Sequence, residues 1–162
     1  MLQTDKKQSS RSRIVKIVLN LIPAFRRSGG RICFISSDWL EVQTRLKLSW
    51  RTRNWVGTTF GGSIYSSTDP VYMTQFIQIL GKDYVVWDKA ASVNFKKPIR
   101  KTVYARFLLT QEFIDEVKAE VAQNGKHVFD LPVHYQDKDG TVYAEISKTL
   151  YVASKDYYNK KP

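Results

Sequence analysis

The chain has 162 residues, of which 43% are apolar and 13% aromatic, which is ample for one packed core and too little for two. The single cysteine, Cys33, excludes an internal disulfide and a cysteine-based zinc site, and its apolar neighbours Ile32 and Phe34 predict an ordinary buried strand residue. A formal net charge of +11 implies an anionic partner or simple solubility, and no helix-turn-helix, zinc-finger or RNA-binding aromatic signature accompanies it.

Residues 1–12 are polar and basic and read as a disordered tail. Ile14, Ile17, Val18, Leu21 and Phe25 then recur at helical spacing, predicting an amphipathic helix over 13–27 with a basic opposite face. Such a helix could lie on a membrane surface; covering one face or edge of its own domain is the preferred reading. The apolar run from Ile14 to Phe25 is broken by Lys16 and Asn20, so it does not read as a membrane span or a signal peptide, and a cytoplasmic location is expected.

Strands are predicted for Ile32 to Ser36 and Trp39 to Trp50. In the second, Leu40, Val42, Thr44, Leu46 and Leu48 face one side, and Glu41, Gln43, Arg45 and Lys47 the other. A long helix follows over 57–81, with Ile64, Val71, Tyr72, Phe76, Ile79 and Leu80 as its apolar stripe and Gly81 as its cap. Pro70 inside that helix predicts a kink or opened backbone around Ser66 to Asp69, because proline lacks the N–H and clashes with the carbonyl four residues back. Strands return at Tyr84 to Lys97, Thr102 to Thr110, His127 to Tyr135 and Thr141 to Val152, with a helical segment at Gln111 to Ala122 and a hairpin turn at Asp139-Gly140. Residues 154–162 form a basic C-terminal tail. One long apolar helix against a mostly antiparallel sheet of five to six strands is an α+β arrangement in which the sheet wraps the helix.

Asn54-Trp55-Val56-Gly57-Thr58-Thr59-Phe60-Gly61-Gly62, followed by Asp69, is the stretch that carries chemistry. A glycine-rich loop entering a helix gathers free N–H groups and the positive helix end at one spot, where an oxyanion on a carbonyl is stabilised. Asn54 adds an amide donor and Asp69 a carboxylate, the parts of a hydrolytic acyl-transfer site. The plainer readings are glycines that serve only a tight turn, and an Asp69 that caps a helix beginning beside Pro70.

These residues resemble the motif of the phenylacetyl-CoA-type hotdog thioesterases: Asn, two residues, Gly, two residues, His-Gly-Gly, then an acid seven residues on. The match falls on Asn54, Gly57, Gly61, Gly62 and Asp69. With Trp87-Asp88-Lys89 and Phe95-Lys96-Lys97-Pro98, the chain is similar over Ile14 to Val152 to an uncharacterised, thioesterase-like hotdog family of bacteria.

The resemblance implies a hotdog domain over 13–153 and a homodimer, or dimer of dimers, joined through its central sheets. Asp69 of one subunit would face the Asn54–Gly62 loop of the other. Asp69 would serve as general base or nucleophile, while Asn54 and the Gly61 N–H polarise the carbonyl of an acyl-CoA or acyl-carrier thioester. Two departures stand out. Phe60 replaces the motif histidine, and the supporting Ser or Thr falls on or next to Asp88, so that two carboxylates could share a proton.

Asp88 could otherwise pair with Lys89 at a strand end. Lys96 and Lys97 could meet cofactor phosphates or be solvated turn residues. His127 and His134 read as ordinary strand residues, and no metal, permanently bound cofactor or nucleic acid is expected. Coenzyme A enters only as part of the substrate.

Overall fold

The computed structural model describes residues 2–160; Met1, Lys161 and Pro162, parts of the expected tails, lie outside the described residues. In chain order the elements are α1 (Ser10–Leu21), α2 (Pro23–Ser28), β1 (Gly30–Ile35), β2 (Glu41–Leu46), α3 (Gly61–Ser66), α4 (Asp69–Leu80), β3 (Tyr84–Phe95), β4 (Val103–Leu108), α5 (Gln111–Asn124), β5 (Lys126–Gln136), β6 (Val142–Ser154) and α6 (Lys155–Asn159). The strands form one antiparallel sheet in the order β1-β2-β4-β5-β6-β3. It is packed against the α3–α4 helix, the hotdog arrangement expected. β3 is an outer strand with one edge unpaired among the described residues, and β1 is the opposite outer strand.

Packing of the central helix against the sheet dominates the core. Phe76 is fully buried in α4 and lies 5.3 Å, ring centre to ring centre, from Phe129 on β5. Tyr72 meets Phe107 of β4 edge-on at 4.9 Å and gives its hydroxyl to the Pro132 carbonyl at 2.8 Å. Burying a side chain of this size contributes about 1.5–3 kcal/mol, so the apolar stripe outweighs the modest helix propensity of a segment rich in β-branched and aromatic residues.

The expected long helix is broken where Pro70 predicts. α3 ends at Ser66 and α4 starts at Asp69, which leaves Pro70 in the first turn of a new helix, where its missing N–H costs little. Ser67 lies at the break and is fully buried. Its hydroxyl donates to the Ser63 carbonyl at 2.6 Å and accepts from the buried Tyr135 hydroxyl at 2.7 Å, so the opened backbone is bonded to the sheet.

Two expectations are corrected at the N-terminal end. Glu41 and Gln43, on the polar side of the β2 alternation, are fully buried. The cause is the segment 2–9, expected to be disordered, which lies across that face. Thr4 donates to Glu41 at 2.8 Å, Gln43 accepts from the Leu2 N–H at 2.8 Å, and the Ser37 N–H reaches the Lys7 carbonyl at 2.8 Å. Arg106 completes the cover with a two-pronged contact to Glu41 at 2.8 and 3.1 Å. The predicted N-terminal helix is two helices that meet at Ile22-Pro23, and of its expected apolar stripe only Phe25 is buried. At the other end, the start of the expected basic tail forms α6, capped by Ser154.

Candidate active site

The Asn54–Gly62 segment is a tight turn followed by the first residues of α3. Gly57 has φ of 80°, a left-handed conformation that side chains disfavour, and its N–H donates to the Asn54 carbonyl at 3.1 Å. The Asn54 side chain closes the turn from both ends. It accepts the Thr58 N–H at 2.9 Å and donates to the Thr58 hydroxyl at 2.8 Å. One amide hydrogen of Asn54 is thus committed within the loop, and the other makes no hydrogen bond to a described residue.

Phe60, at the position preceding α3, is exposed, and its ring lies over Gly62: a Cβ added there would come within 2.3 Å of it. Gly61 faces Phe95, with an added Cβ at 3.0 Å from that ring. The backbone N–H groups of Gly61 and Gly62 belong to the first turn of α3, where no intrahelical acceptor exists. This loop lines a cavity of about 490 Å³ together with Thr59, Ile64, Phe95, Lys96, Lys97 and Arg100. Asn54 and Gly61 therefore line one cavity together with the basic turn. Lys96 is paired with Glu145 at 3.0 Å; Arg100, not singled out as a site residue, adds a further cation.

Asp69 is elsewhere in the chain. It borders a second cavity, of about 310 Å³, lined by Leu19, Ile22, Ala24, Phe25, Ser66 and Pro70 between the N-terminal helices and the helix break. Its Oδ1 accepts from Tyr65 at 3.1 Å and from Lys148 at 3.0 Å, while Oδ2 takes no hydrogen bond from a described residue.

Lys148 is the residue that the sequence reading missed. Its side chain has no solvent exposure, and its Nζ also lies 3.1 Å from Asp88 Oδ2 and 5.1 Å from the centre of the Tyr65 ring. Asp88 pairs with Lys148 and not with its neighbour Lys89: a bulge between Asp88 and Ala90 leaves Lys89 unmatched in the β3–β6 register. The two carboxylates are linked through this one lysine, which contacts both. A signal was present in the sequence. Lys148 is in phase with Ala144, Ile146, Leu150 and Val152, the buried face of a strand with a period of two.

The electrostatics follow from burial and this pairing. Burial pushes the Asp88 carboxyl above its ordinary range, with the Asp69 charge adding to it and Lys148 opposing. Burial alone would lower the Lys148 ammonium, but the Asp69 hydrogen bond and the Asp88 charge outweigh it and hold the group above its usual range. The Tyr65 hydroxyl is raised by burial and by its bond to Asp69. Among the described residues, no group of three or more His, Cys, Asp or Glu could hold a metal ion.

Solved structures resemble this one closely while sharing little sequence. A protein of unknown function from Pseudomonas aeruginosa, described as a probable thioesterase, is 18% identical with a TM-score of 0.78, covering 91% of this chain and 98% of that one. A protein of unknown function from Chlorobaculum tepidum is 13% identical with a TM-score of 0.72, covering 90% and 95%. A thioesterase from Haemophilus influenzae is 15% identical with a TM-score of 0.65, covering 95% and 96%. At such identities the likeness establishes the fold and not the reaction. No curated protein matches the chain. Residues 10–152 match the family described as a domain of unknown function, DUF4442, and the chain belongs to that family, built on the hotdog fold.

Proposed function

We propose that the chain hydrolyses an acyl-CoA or acyl-carrier thioester, with Asp69 as general base and the Asn54 amide and Gly61 N–H as the donors that polarise the thioester carbonyl. The observation that carries this reading is the state of Asp69. Lys148 and Tyr65 hold Oδ1 and leave Oδ2 free to take a proton from water. Water attack on the carbonyl carbon forms a tetrahedral oxyanion facing the Gly61 N–H, and its collapse expels the thiolate. Lys97 and Arg100, at the cavity of the donor loop, suit the phosphates of coenzyme A, with the Lys96 charge partly offset by Glu145.

The base and the donors border different cavities of one chain, and a homodimer across β3 would unite them. Phe95, which packs on Gly61, ends β3, while Asp88, joined to Asp69 through Lys148, lies nearer its start. Antiparallel self-pairing of that open edge opposes the two ends, so the donor loop of one copy meets the Asp69–Asp88 pair of the other. Exposed Trp87 and Phe95 on the same strand supply apolar area for such a joint.

The test is a thioester panel with wild type and Asp69→Asn. The expected loss is about 10²–10⁴-fold, the usual size of a general-base contribution; unchanged hydrolysis removes Asp69 from the reaction. A second reading, an acyl-binding protein without turnover, draws on Phe60 at the motif histidine position and on the hydrogen bonds that already engage Asn54. Purified protein that retains an acyl thioester and hydrolyses none of the panel selects that reading.

A further inference from the structure

The N-terminal helix presents its apolar side outward. Its anchors are polar or short. Ser12 is fully buried, the Asn20 side chain clasps both the N–H and the carbonyl of Ile32 at 2.9 and 2.8 Å, and Arg11 reaches Gln78 at 3.1 Å. Val15 and Leu19 are only partly buried against the core. The remaining large aliphatics lie in the open: Ile14 is 62% exposed, Ile17 58%, Val18 54% and Leu21 60%. They recur at helical spacing, so they form one ridge rather than scattered exposures.

Beside that ridge runs a groove of about 1010 Å³ that starts at Leu21 and Pro23. Its charged lining is Arg26, Arg27, Arg31, Lys47 and Arg51, with no acidic residue, and none of these cations forms an ion pair among the described residues. Trp50 projects from the same groove at 80% exposure, with the Arg51 guanidinium 4.9 Å from its ring centre. An apolar ridge, a cation-lined groove and an exposed tryptophan are the three elements by which a protein sits in the interfacial layer of an anionic bilayer. A free phosphate compound would be satisfied by the groove alone and leave the ridge without purpose. The place in the fold is also suitable: α1 and α2 pack on β1, the outer strand opposite β3.

We infer that the α1–α2 face and the adjoining cationic groove form a docking surface for an anionic lipid bilayer. Ile14, Ile17, Val18 and Leu21 enter the headgroup–acyl boundary, Trp50 lies at the headgroup level, and the five cations meet lipid phosphates. Docking is reversible and peripheral, since no helix of the described residues is long and apolar enough to cross a membrane. The inference stands whether or not the site hydrolyses thioesters.

The experiment is co-sedimentation of the full chain with vesicles of phosphatidylcholine alone and of phosphatidylcholine with one-third phosphatidylglycerol, read together with tryptophan fluorescence. Expected are binding to the anionic vesicles that weakens with salt, little binding to the neutral ones, and a blue shift that is lost in Trp50→Ala. Arg26→Gln with Arg27→Gln lowers affinity by about 25-fold, at roughly fivefold for each basic residue near an anionic surface. Ile17→Glu with Leu21→Glu also abolishes binding. All of these positions are exposed, so unchanged melting temperatures verify the fold. Equal binding to both vesicle types, no binding at all, or binding that survives both double variants overturns the inference. So does loss of RNA binding in the variants without any vesicle binding, or a smaller assembly in the Ile17/Leu21 variant, which would mean that a second copy covers the ridge.

Discussion

Lys148 Nζ donates to Asp69 Oδ1 across 3.0 Å, from a side chain with no solvent exposure to a carboxylate that is about half exposed. The same ammonium lies 3.1 Å from Asp88, so one buried cation joins the helix break to the outer strand β3. A buried charge without partners is costly, and the pairing is what permits a lysine on the inner face of β6.

Lys148→Met is therefore expected to destabilise the protein by about 3 kcal/mol in urea denaturation, since it leaves Asp88 without its counter-ion. Adding Asp88→Asn to that variant should recover part of the loss. A change below about 1 kcal/mol in the single variant would show that the three groups are not structurally coupled.

Glu41 should govern part of the acid limb of stability. Burial pushes its carboxyl up, but the hydrogen bonds from Arg106, Gln43 and Thr4 outweigh that and hold it below the ordinary 4.5. A carboxyl depressed on folding contributes stability above its unfolded value and loses it as pH falls through the folded one. Below pH 4.5, the stability of Glu41→Gln should therefore decline less steeply than that of the wild type, as read from denaturation midpoints. Lys148 acts in the opposite sense: its raised pKa contributes stability below the ordinary 10.5, lost as pH climbs through the folded value.

The helix break offers a paired test. The Tyr135 hydroxyl, fully buried and pushed up to about 12 by burial, bonds Ser67 at 2.7 Å, so Tyr135→Phe should cost about 1–2 kcal/mol. Pro70→Ala should change stability by less than about 1 kcal/mol, because Pro70 occupies the first turn of α4. No loss on replacing Tyr135, or a large gain on replacing Pro70, would mean that the break is strained rather than satisfied.

If donors and base come from different copies, mixing two inactive variants restores activity. Asp69→Asn and Asn54→Ala, unfolded together and refolded, should recover about a quarter of the wild-type sites, since half of the dimers are mixed and each of these has one intact site. No recovery, with dimers present, would place the two residues in the same copy's site or outside the reaction.

Most of the fold could be read from local pattern. The alternation in β2, the glycine-rich approach to α3 and the Asp139-Gly140 turn each act over a few residues, so the chain itself carries them. Pro70 even located the helix break. The burial of Glu41 and Gln43 was not readable, because alternation marks two faces of a strand without saying what comes to cover the polar one. Here the covering group is the segment 2–9, distant in sequence from its partners.

The motif from Asn54 to Gly62 was likewise legible, since its glycines and its side-chain-closed turn are local. By itself the sequence determined the α+β arrangement, the glycine-rich loop into α3 and the carboxylate at Asp69, and its motif resemblance pointed to the hotdog class. The tertiary structure alone decided that Asp69 is held by Lys148 and Tyr65, that it borders a different cavity from Asn54, and that the apolar side of α1 faces outward. Those outcomes depend on which faces meet when separate elements pack, and residue periodicity within one element carries no information about its neighbour.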